Sequence, residues 1–336
     1  MATIQDVARQ AGVSTATVSR VLNGYEHVSP LVVEKVNKAI AALGYEPNVM
    51  AKNLRTLKTQ RLIVTVPDIA NTFFSNIIRG VEETASAAGY TVLLGDVGFS
   101  GESEEAYASL LRRREADGLI FLGHTLPASL VDLIAKKGAS APIVNGCEFS
   151  EDLLVSSVHI DNARAASNVM DLLYSLGHDR IGIITGDMRS PISRDRLQGV
   201  NDSATARNRV LDLQVVTGDY SIESGAAQAA ELIRRQVRPT ALFCFSDDMA
   251  FGAMYALREA GLDCPSDMSI VGFDDIRLAR FSTPSLTTVR QPMREIGRRT
   301  VQLLLDIIEG KVTERVNITL EHELVVRGST AALGQA

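Results

Sequence analysis

From residue 61 to residue 275, short runs of aliphatic and β-branched residues alternate with longer segments of helical periodicity, and no other feature restricts the fold as tightly. The series opens with RLIVTVPD (61–68), FFSNIIRGVEETASAAG (73–89), YTVLLGD (90–96), ESEEAYASLLRRREA (102–116) and DGLIFLG (117–123). After APIVNG (141–146) and SSVHID (156–161) it restarts with a helix over about 163–176 and RIGIITGD (180–187). A helix over about 194–207, LQVVTGDY (213–220), IESGAAQAAELIRRQ (222–236), TALFCFSDD (240–248), MAFGAMYALREAG (249–261) and MSIVGFDD (268–275) complete it. Strands buried on both faces read as continuous apolar runs, and parallel neighbours need a crossover between them. Repeated βα units therefore predict parallel sheets covered by helices, and two series predict two such bodies. Open α/β sheets bind ligands beyond the carboxyl ends of their strands. Here those ends read VPD, LGD, ITGD, TGDY, SDD and GFDD, small and acidic residues suited to a polyhydroxylated ligand.

The first sixty residues are built differently. The whole chain carries a formal charge of −6, yet residues 1–60 hold seven Lys/Arg against four Asp/Glu, and the rest holds 27 against 36. A basic head on an acidic body confines any phosphate-binding surface to the head. Thr3 and Asp6 form a capping box ahead of Ile4, Val7, Ala8 and Ala11, which repeat at helical spacing up to Gly12. Ser14 can cap a second helix with Val18, Val21 and Leu22 inside, ended by Asn23-Gly24, which leaves Thr15, Ala16, Ser19 and Arg20 on the outer face. Ser29-Pro30 opens a third helix with Val33, Val36, Ile40 and Leu43 inside. Two short helices joined by a glycine turn and buttressed by a third fit a helix-turn-helix, whose second helix enters the major groove; the same periodicity fits a plain bundle with a solvated polar face. In EPNVMAKNLRT (46–56) the basic residues Lys52 and Arg55 accompany a possible helix from Asn48 to Thr56, too short to be stable alone. Such a segment either folds on DNA, with Leu54 as a minor-groove wedge, or serves as a connector.

Enzyme chemistry finds little purchase. GxSxG, GxxxxGK[ST], HExxH and a GxGxxG placed after a strand are all missing, and the five histidines are scattered. Cys147, Cys244 and Cys264 are too widely spaced for a CxxC pair, so neither a metal nor a cofactor is expected. No apolar run approaches the ~20 residues that span a bilayer, and MATIQDVARQ lacks the pattern of a signal peptide, so a cytoplasmic protein is expected. A transport-type sugar or nucleoside binding protein, and an α/β sugar-modifying enzyme, remain as other classes.

TIQDVARQAGVSTATVSRVLNG, GYEPNVMAKNLRT, PDIANTFFSNIIRGVE, VHIDN, GHDRIGIITG, RLQGV, RPTALFCFSDDMAFGAM, MSIVGFDDI and LTTVRQP together resemble the LacI/GalR family of transcription regulators over nearly the whole chain. Within it, VSTATVSR, GDY..ESG and FC.SD.MA stand closest to repressors that answer a nucleoside. The resemblance implies an α/β protein with a helix-turn-helix head (1–46), a hinge helix and linker (47–60) and a two-lobed core of the type I periplasmic-binding-protein kind (61–336). Its N-lobe would span about 61–160 and 292–320, and its C-lobe about 161–291 and 321–330. The resemblance also implies a repressor that binds an approximately palindromic double-stranded DNA operator under control of a small effector. A nucleoside inducer is the first expectation and a free pentose or hexose the second. The C-terminal RGSTAALGQA offers no leucine heptads for a tetramer, so a homodimer is expected.

Carried over residue by residue, Thr15, Ala16 and Arg20 fall on base-reading positions, Leu54 on the wedge, and Asn48 and Lys52 on backbone contacts. Phe73 or Phe74, Arg196, Tyr220, Asp247, Asp274 and Gln291 fall on effector-pocket positions, and Cys147 stands where relatives often carry Asp or Asn. Adjacent pairs leave open which member faces a ligand: Phe73 or Phe74, Asp247 or Asp248, Asp274 or Asp275.

Overall fold

The computed structural model describes residues 2–22, 24–25, 27–45, 58–98, 104–150, 152–206 and 212–334. The expected hinge, with Asn48, Lys52, Leu54 and Arg55, lies outside the described residues, as does Asn23. The chain divides into two compact units, Met1–Thr59 and Gln60–Ala336.

The first unit contains α1 (Ile4–Ala11), α2 (Thr15–Leu22) and α3 (Pro30–Leu43). Its ends are fixed by the residues that the sequence offers for the purpose. The Thr3 hydroxyl accepts from the Asp6 N–H at 3.3 Å and the Asp6 carboxylate accepts from the Thr3 N–H at 3.0 Å, a reciprocal capping box. The Ser14 hydroxyl accepts from the Thr17 N–H at 3.1 Å ahead of α2. Pro30 sits in the first turn of α3, where its missing N–H has no partner to lose. Val7, Ala8, Ala11, Val18, Val36 and Ala39 form the core. A core this small leaves little stability to spare, so single methyl groups matter.

The second unit begins β1 (Arg61–Val66), α4 (Thr72–Ala87), β2 (Thr91–Asp96), α5 (Glu104–Arg112), β3 (Gly118–Phe121), α6 (Ala128–Lys137), β4 (Ile143–Gly146) and β5 (Ser156–Ile160). It continues α7 (Asn162–Ser175), β6 (Arg180–Thr185), α8 (Pro191–Ala206), β7 (Asp212–Thr217), α9 (Ile222–Ile233), β8 (Ala241–Cys244), α10 (Asp247–Glu259) and β9 (Ser269–Val271). It closes with β10 (Thr288–Arg290), α11 (Met293–Ile308), β11 (Asn317–Leu320) and β12 (Glu323–Val325). One parallel sheet has the order β11-β5-β4-β3-β1-β2 and the other β7-β6-β8-β9, while β10 and β12 pair antiparallel. We call the first sheet with its helices the N-lobe and the second the C-lobe. The N-lobe takes its edge strand β11 and the helix α11 from beyond the C-lobe in sequence.

Strand alternation explains the layers. In β1, Leu62, Val64 and Val66 pack under α4 and α11, while Ile63 faces Leu111 of α5 and Leu130 of α6. The C-lobe core gathers Ile181, Ile183, Leu242, Phe243 and Ile270 against α7, α9 and α10. Two differences from the sequence reading stand out. The alternation read above omits α6, α11 and β10 to β12, and α8 starts at Pro191 rather than near 194, because a proline at the first helical position is already preset for it. The tightest contact of α8 is at Gly199, where a methyl group would lie 1.9 Å from the Ala163 carbonyl oxygen of α7. Among the described residues no helix is long and apolar enough to cross a membrane.

Candidate functional site

In the first unit, α2 buries Val18 and turns Thr15, Ala16 and Arg20 to solvent, with Ser19 half-buried beside them. Alignment of a hydroxyl, a methyl and a guanidinium along one exposed face follows from Val18 and Val21 packing on α1 and α3. A groove beside Arg20 is bordered by Thr17, Tyr25, His27, Ser29 and Val32. Tyr25 is 64% exposed. Neither Tyr25 nor His27 is singled out by the sequence reading; their position in the turn after α2 is the signal that could have found them.

In the second unit Asp274 and Gln291 of the expected effector residues are joined by a hydrogen bond beyond the carboxyl end of β9. Arg196 of α8 is 2% exposed. Its Nε donates to Asn162 Oδ1 at 2.9 Å, its Nη1 donates to the Phe245 carbonyl, and its guanidinium lies 3.6 Å from the centre of the Phe273 ring. Asn162 and Phe273 thus hold the cation in one orientation, a role that the sequence reading misses in both. Asp274 follows β9 at φ +123 and Asp275 at φ +55, a strained pair that sends consecutive side chains to opposite sides. Asp274 turns inward and accepts from Gln291 Nε2 at 2.7 Å. Asp275 turns outward and accepts from Arg290 Nε at 2.7 Å and Arg327 Nη2 at 2.6 Å. Burial pushes the Asp274 carboxyl up to about 7 against the pull of Arg196.

Asp247 is fully buried, and both of its oxygens are occupied: Oδ2 accepts from the Ile276 N–H at 2.8 Å and Oδ1 from the Thr288 hydroxyl at 2.5 Å. It braces the loop that carries Asp274. Asp248 is half-buried, its carboxyl raised by burial and by Asp68 and Glu223. Tyr220, at φ +72, shares a 2.5 Å hydrogen bond with the Ser193 hydroxyl, and burial pushes its phenol up to about 12. Its ring lies where a side chain on Gly186 would have to go, 2.0 Å from the nearest ring atom. Phe73 and Phe74 meet edge to face at 5.2 Å in the first turn of α4, and both belong to the N-lobe core. Cys147, at φ +68, is buried; its thiol donates to the Leu122 carbonyl at 3.6 Å and burial pushes it up.

The two lobes touch next to this set. Ser190, just before α8, donates its hydroxyl to Glu148 Oε2 at 3.2 Å, and His124 Nδ1 lies 3.6 Å from the same oxygen. That contact with Glu148 raises the affinity of His124 for its proton. A cavity of about 240 Å³ abuts the seam at His124, Asp187 and Arg189, and none of the eight expected effector residues lines it. Among the described residues no group of three or more His, Cys, Asp or Glu is placed to hold a metal ion. The cleft set differs from this cavity: Arg196, Asp274 and Gln291 are buried and oriented by hydrogen bonds, whereas the cavity wall is mostly apolar.

Residues 3–48 match bacterial regulatory proteins of the lacI family, and residues 170–330 match a periplasmic binding protein-like domain. The chain is 40% identical over 333 residues to the HTH-type transcriptional repressor CytR of Escherichia coli (strain K12), covering 99% of this chain and 97% of the relative. It is 35% identical over 335 residues to the HTH-type transcriptional repressor PurR of Photobacterium profundum, covering 99% and 100%. Among solved structures, the lac repressor dimer bound to operator and the anti-inducer ONPF superposes with a TM-score of 0.89 at 31% identity, covering 98% of this chain and 99% of that one.

Proposed function

The chain belongs to the LacI family of bacterial regulatory proteins, and from that premise we propose that a nucleoside binds its inter-lobe cleft and releases it from an approximately palindromic operator. It is a DNA-binding transcriptional repressor with an effector domain, in a family that is not enzymatic. The observation that carries the effector reading is the incomplete pairing of the cleft groups. Among the described residues, Arg196 Nη2, Asp274 Oδ2 and Gln291 Oε1 have no protein partner. A guanidinium N–H and a carboxylate oxygen in one buried set suit vicinal hydroxyls, each of which both donates and accepts. Tyr220 adds a flat face for a ring. We assign Asp247 to bracing the 274–276 loop rather than to contact with the effector. The similarity to CytR favours a nucleoside over a free pentose or hexose; the polar set alone serves either.

On the head, Thr15, Ala16 and Arg20 read bases and Ser19 lies at the edge of that surface. Arg20 is able to engage guanine O6 and N7 together, and Ala16 offers a methyl to thymine. Tyr25 and His27 supply further donors toward phosphates. The hinge residues Asn48, Lys52, Leu54 and Arg55 add backbone contacts and the wedge. One head reads a half-site, so two-fold pairing supplies the palindrome. We place the dimer face of the C-lobe at Ile222, Tyr255, Leu278 and Phe281, large apolar side chains left 45 to 67% exposed. The test is a thermal-shift screen of the full chain against nucleosides, nucleobases, pentoses and hexoses, followed by operator binding with each hit. A nucleoside that raises the melting temperature and weakens operator binding is the expected result; stabilisation by hexoses alone would replace the nucleoside reading.

A further inference from the structure

Glu148 belongs to none of the positions discussed for the effector, yet it is a buried carboxylate, 7% exposed, standing where the lobes meet. Its two contacts, from Ser190 of the C-lobe and His124 of the N-lobe, both fall on Oε2. Oε1 accepts from no described residue. Ser190 stands three residues before Ser193, the hydrogen-bond partner of Tyr220, so Glu148 meets the same N-terminal turn of α8 as the Tyr220 hydroxyl. The neighbouring cations are already committed. Arg189 grips the Asp187 carboxylate at 2.6 and 2.9 Å, and Arg194 donates to the Met188 and Arg189 carbonyls at 3.2 and 2.6 Å. The cleft thus offers three open acceptors, Glu148 Oε1, Asp274 Oδ2 and Gln291 Oε1, beside the N–H groups of Arg196 that neither Asn162 nor Phe245 takes up.

We propose that Glu148 is an effector-selecting residue, whose carboxylate, presented between the lobes by His124 and Ser190, takes a hydrogen bond from the bound molecule and turns away its phosphorylated relatives. The physical reason is donor count and charge together. A hydroxyl or amino group satisfies a carboxylate oxygen, whereas a phosphate brings only acceptors and a like charge into a site whose low effective dielectric magnifies repulsion. Glu148 then discriminates by leaving the wrong ligand unpaired, which is a stronger filter than shape. This inference rests on the nucleoside-or-pentose reading of the cleft.

The experiment is calorimetric titration of the full chain with matched pairs: cytidine and cytidine 5′-monophosphate, adenosine and adenosine 5′-monophosphate, ribose and ribose 5-phosphate. The neutral member of a binding pair is expected to bind at least tenfold more tightly. Glu148→Gln, which keeps the shape and an acceptor but removes the charge, should shrink that ratio at least threefold. Glu148→Asp, which keeps the charge, should preserve it, and Glu148→Ala, which removes charge and acceptor together, carries the test by the same threefold criterion if Glu148→Gln fails to fold. Equal affinity within a pair, or a ratio unchanged in Glu148→Gln, would overturn the selection while leaving the cleft reading intact. Failure of all six compounds to bind would overturn the nucleoside-or-pentose reading and the selection with it.

Discussion

Gly199→Ala concentrates the reasoning into one methyl group. Its carbon would sit 1.9 Å from the Ala163 carbonyl oxygen, where ordinary contact needs about 3.4 Å, so α8 and α7 have to part by about 1.5 Å. Arg196 is three residues away on α8, and its Nε–H to Asn162 Oδ1 is 2.9 Å long; the same displacement takes that bond beyond hydrogen-bond range. Overpacking of this kind costs about 1–3 kcal/mol, and in a unit this large that is a fall of roughly 2–10 °C in melting temperature. Loss of a fixed charge-assisted bond is worth about 1.5–3 kcal/mol, so effector affinity should drop by roughly ten- to 150-fold. Operator binding without effector should persist, because the head is a separate unit with its own core. Thermal melting of the variant, calorimetric titration with a nucleoside identified by thermal shift, and operator binding by fluorescence anisotropy read the three quantities. A variant that melts lower but binds effector as the parent does would refute the link between the α7–α8 contact and the position of Arg196.

Arg20→Ala should cost about 1–3 kcal/mol on the specific operator and relax selectivity at one base pair per half-site; an equal loss on random DNA would show that it touches only phosphate. Val18→Ala, which removes fully buried methyl groups from the head core, should destabilise that unit by about 1–3 kcal/mol and weaken operator binding while effector titration is unchanged. The Asp274 carboxyl is held at about 7 by burial, against an ordinary 3.8, so between those values the folded state binds a proton that the unfolded chain has released. Its share of stability is full below about pH 4 and is lost as the pH rises to 7, and Asp274→Asn should flatten that part of the slope between denaturant midpoints at pH 5 and pH 8.

Local rules made the head legible. Thr3, Asp6, Ser14 and Pro30 act on neighbours within four residues, so their roles can be read where they stand. The C-terminal ends of the strands were legible for the same reason, since apolar runs stop at small and acidic residues. The fine assignment of the cleft was not. Asp274 and Asp275 differ in role because Arg327, 52 residues on, holds one of them and two positive φ angles send the other inward. Glu148 has partners 24 and 42 residues away and no pattern around it. Asp247 carries the same residue type as a ligand contact, but the Thr288 hydroxyl and the Ile276 N–H, themselves fixed by the β9–β10 return, take up both its oxygens. By contrast, α11 was readable in principle: Met293, Ile296, Thr300, Leu303, Leu304 and Ile307 recur at helical spacing on one buried face. Its place in the N-lobe is a matter of topology, which periodicity does not encode.

On the proposed function, the cleft and the DNA-binding head are coupled through two states of the same chain. Coupling of this kind is reciprocal, so a nucleoside that weakens operator binding must itself bind more weakly, by the same factor, when operator is present. The direct measurement is therefore a thermodynamic square: operator affinity with and without saturating nucleoside, and nucleoside affinity with and without operator, on the parent chain and on Asp274→Ala. The parent should give one factor, about tenfold or more, by both routes, and Asp274→Ala should show no response of operator affinity to the nucleoside while operator binding itself is retained. A nucleoside that binds the cleft tightly with identical affinity in the presence and absence of operator would contradict the coupling.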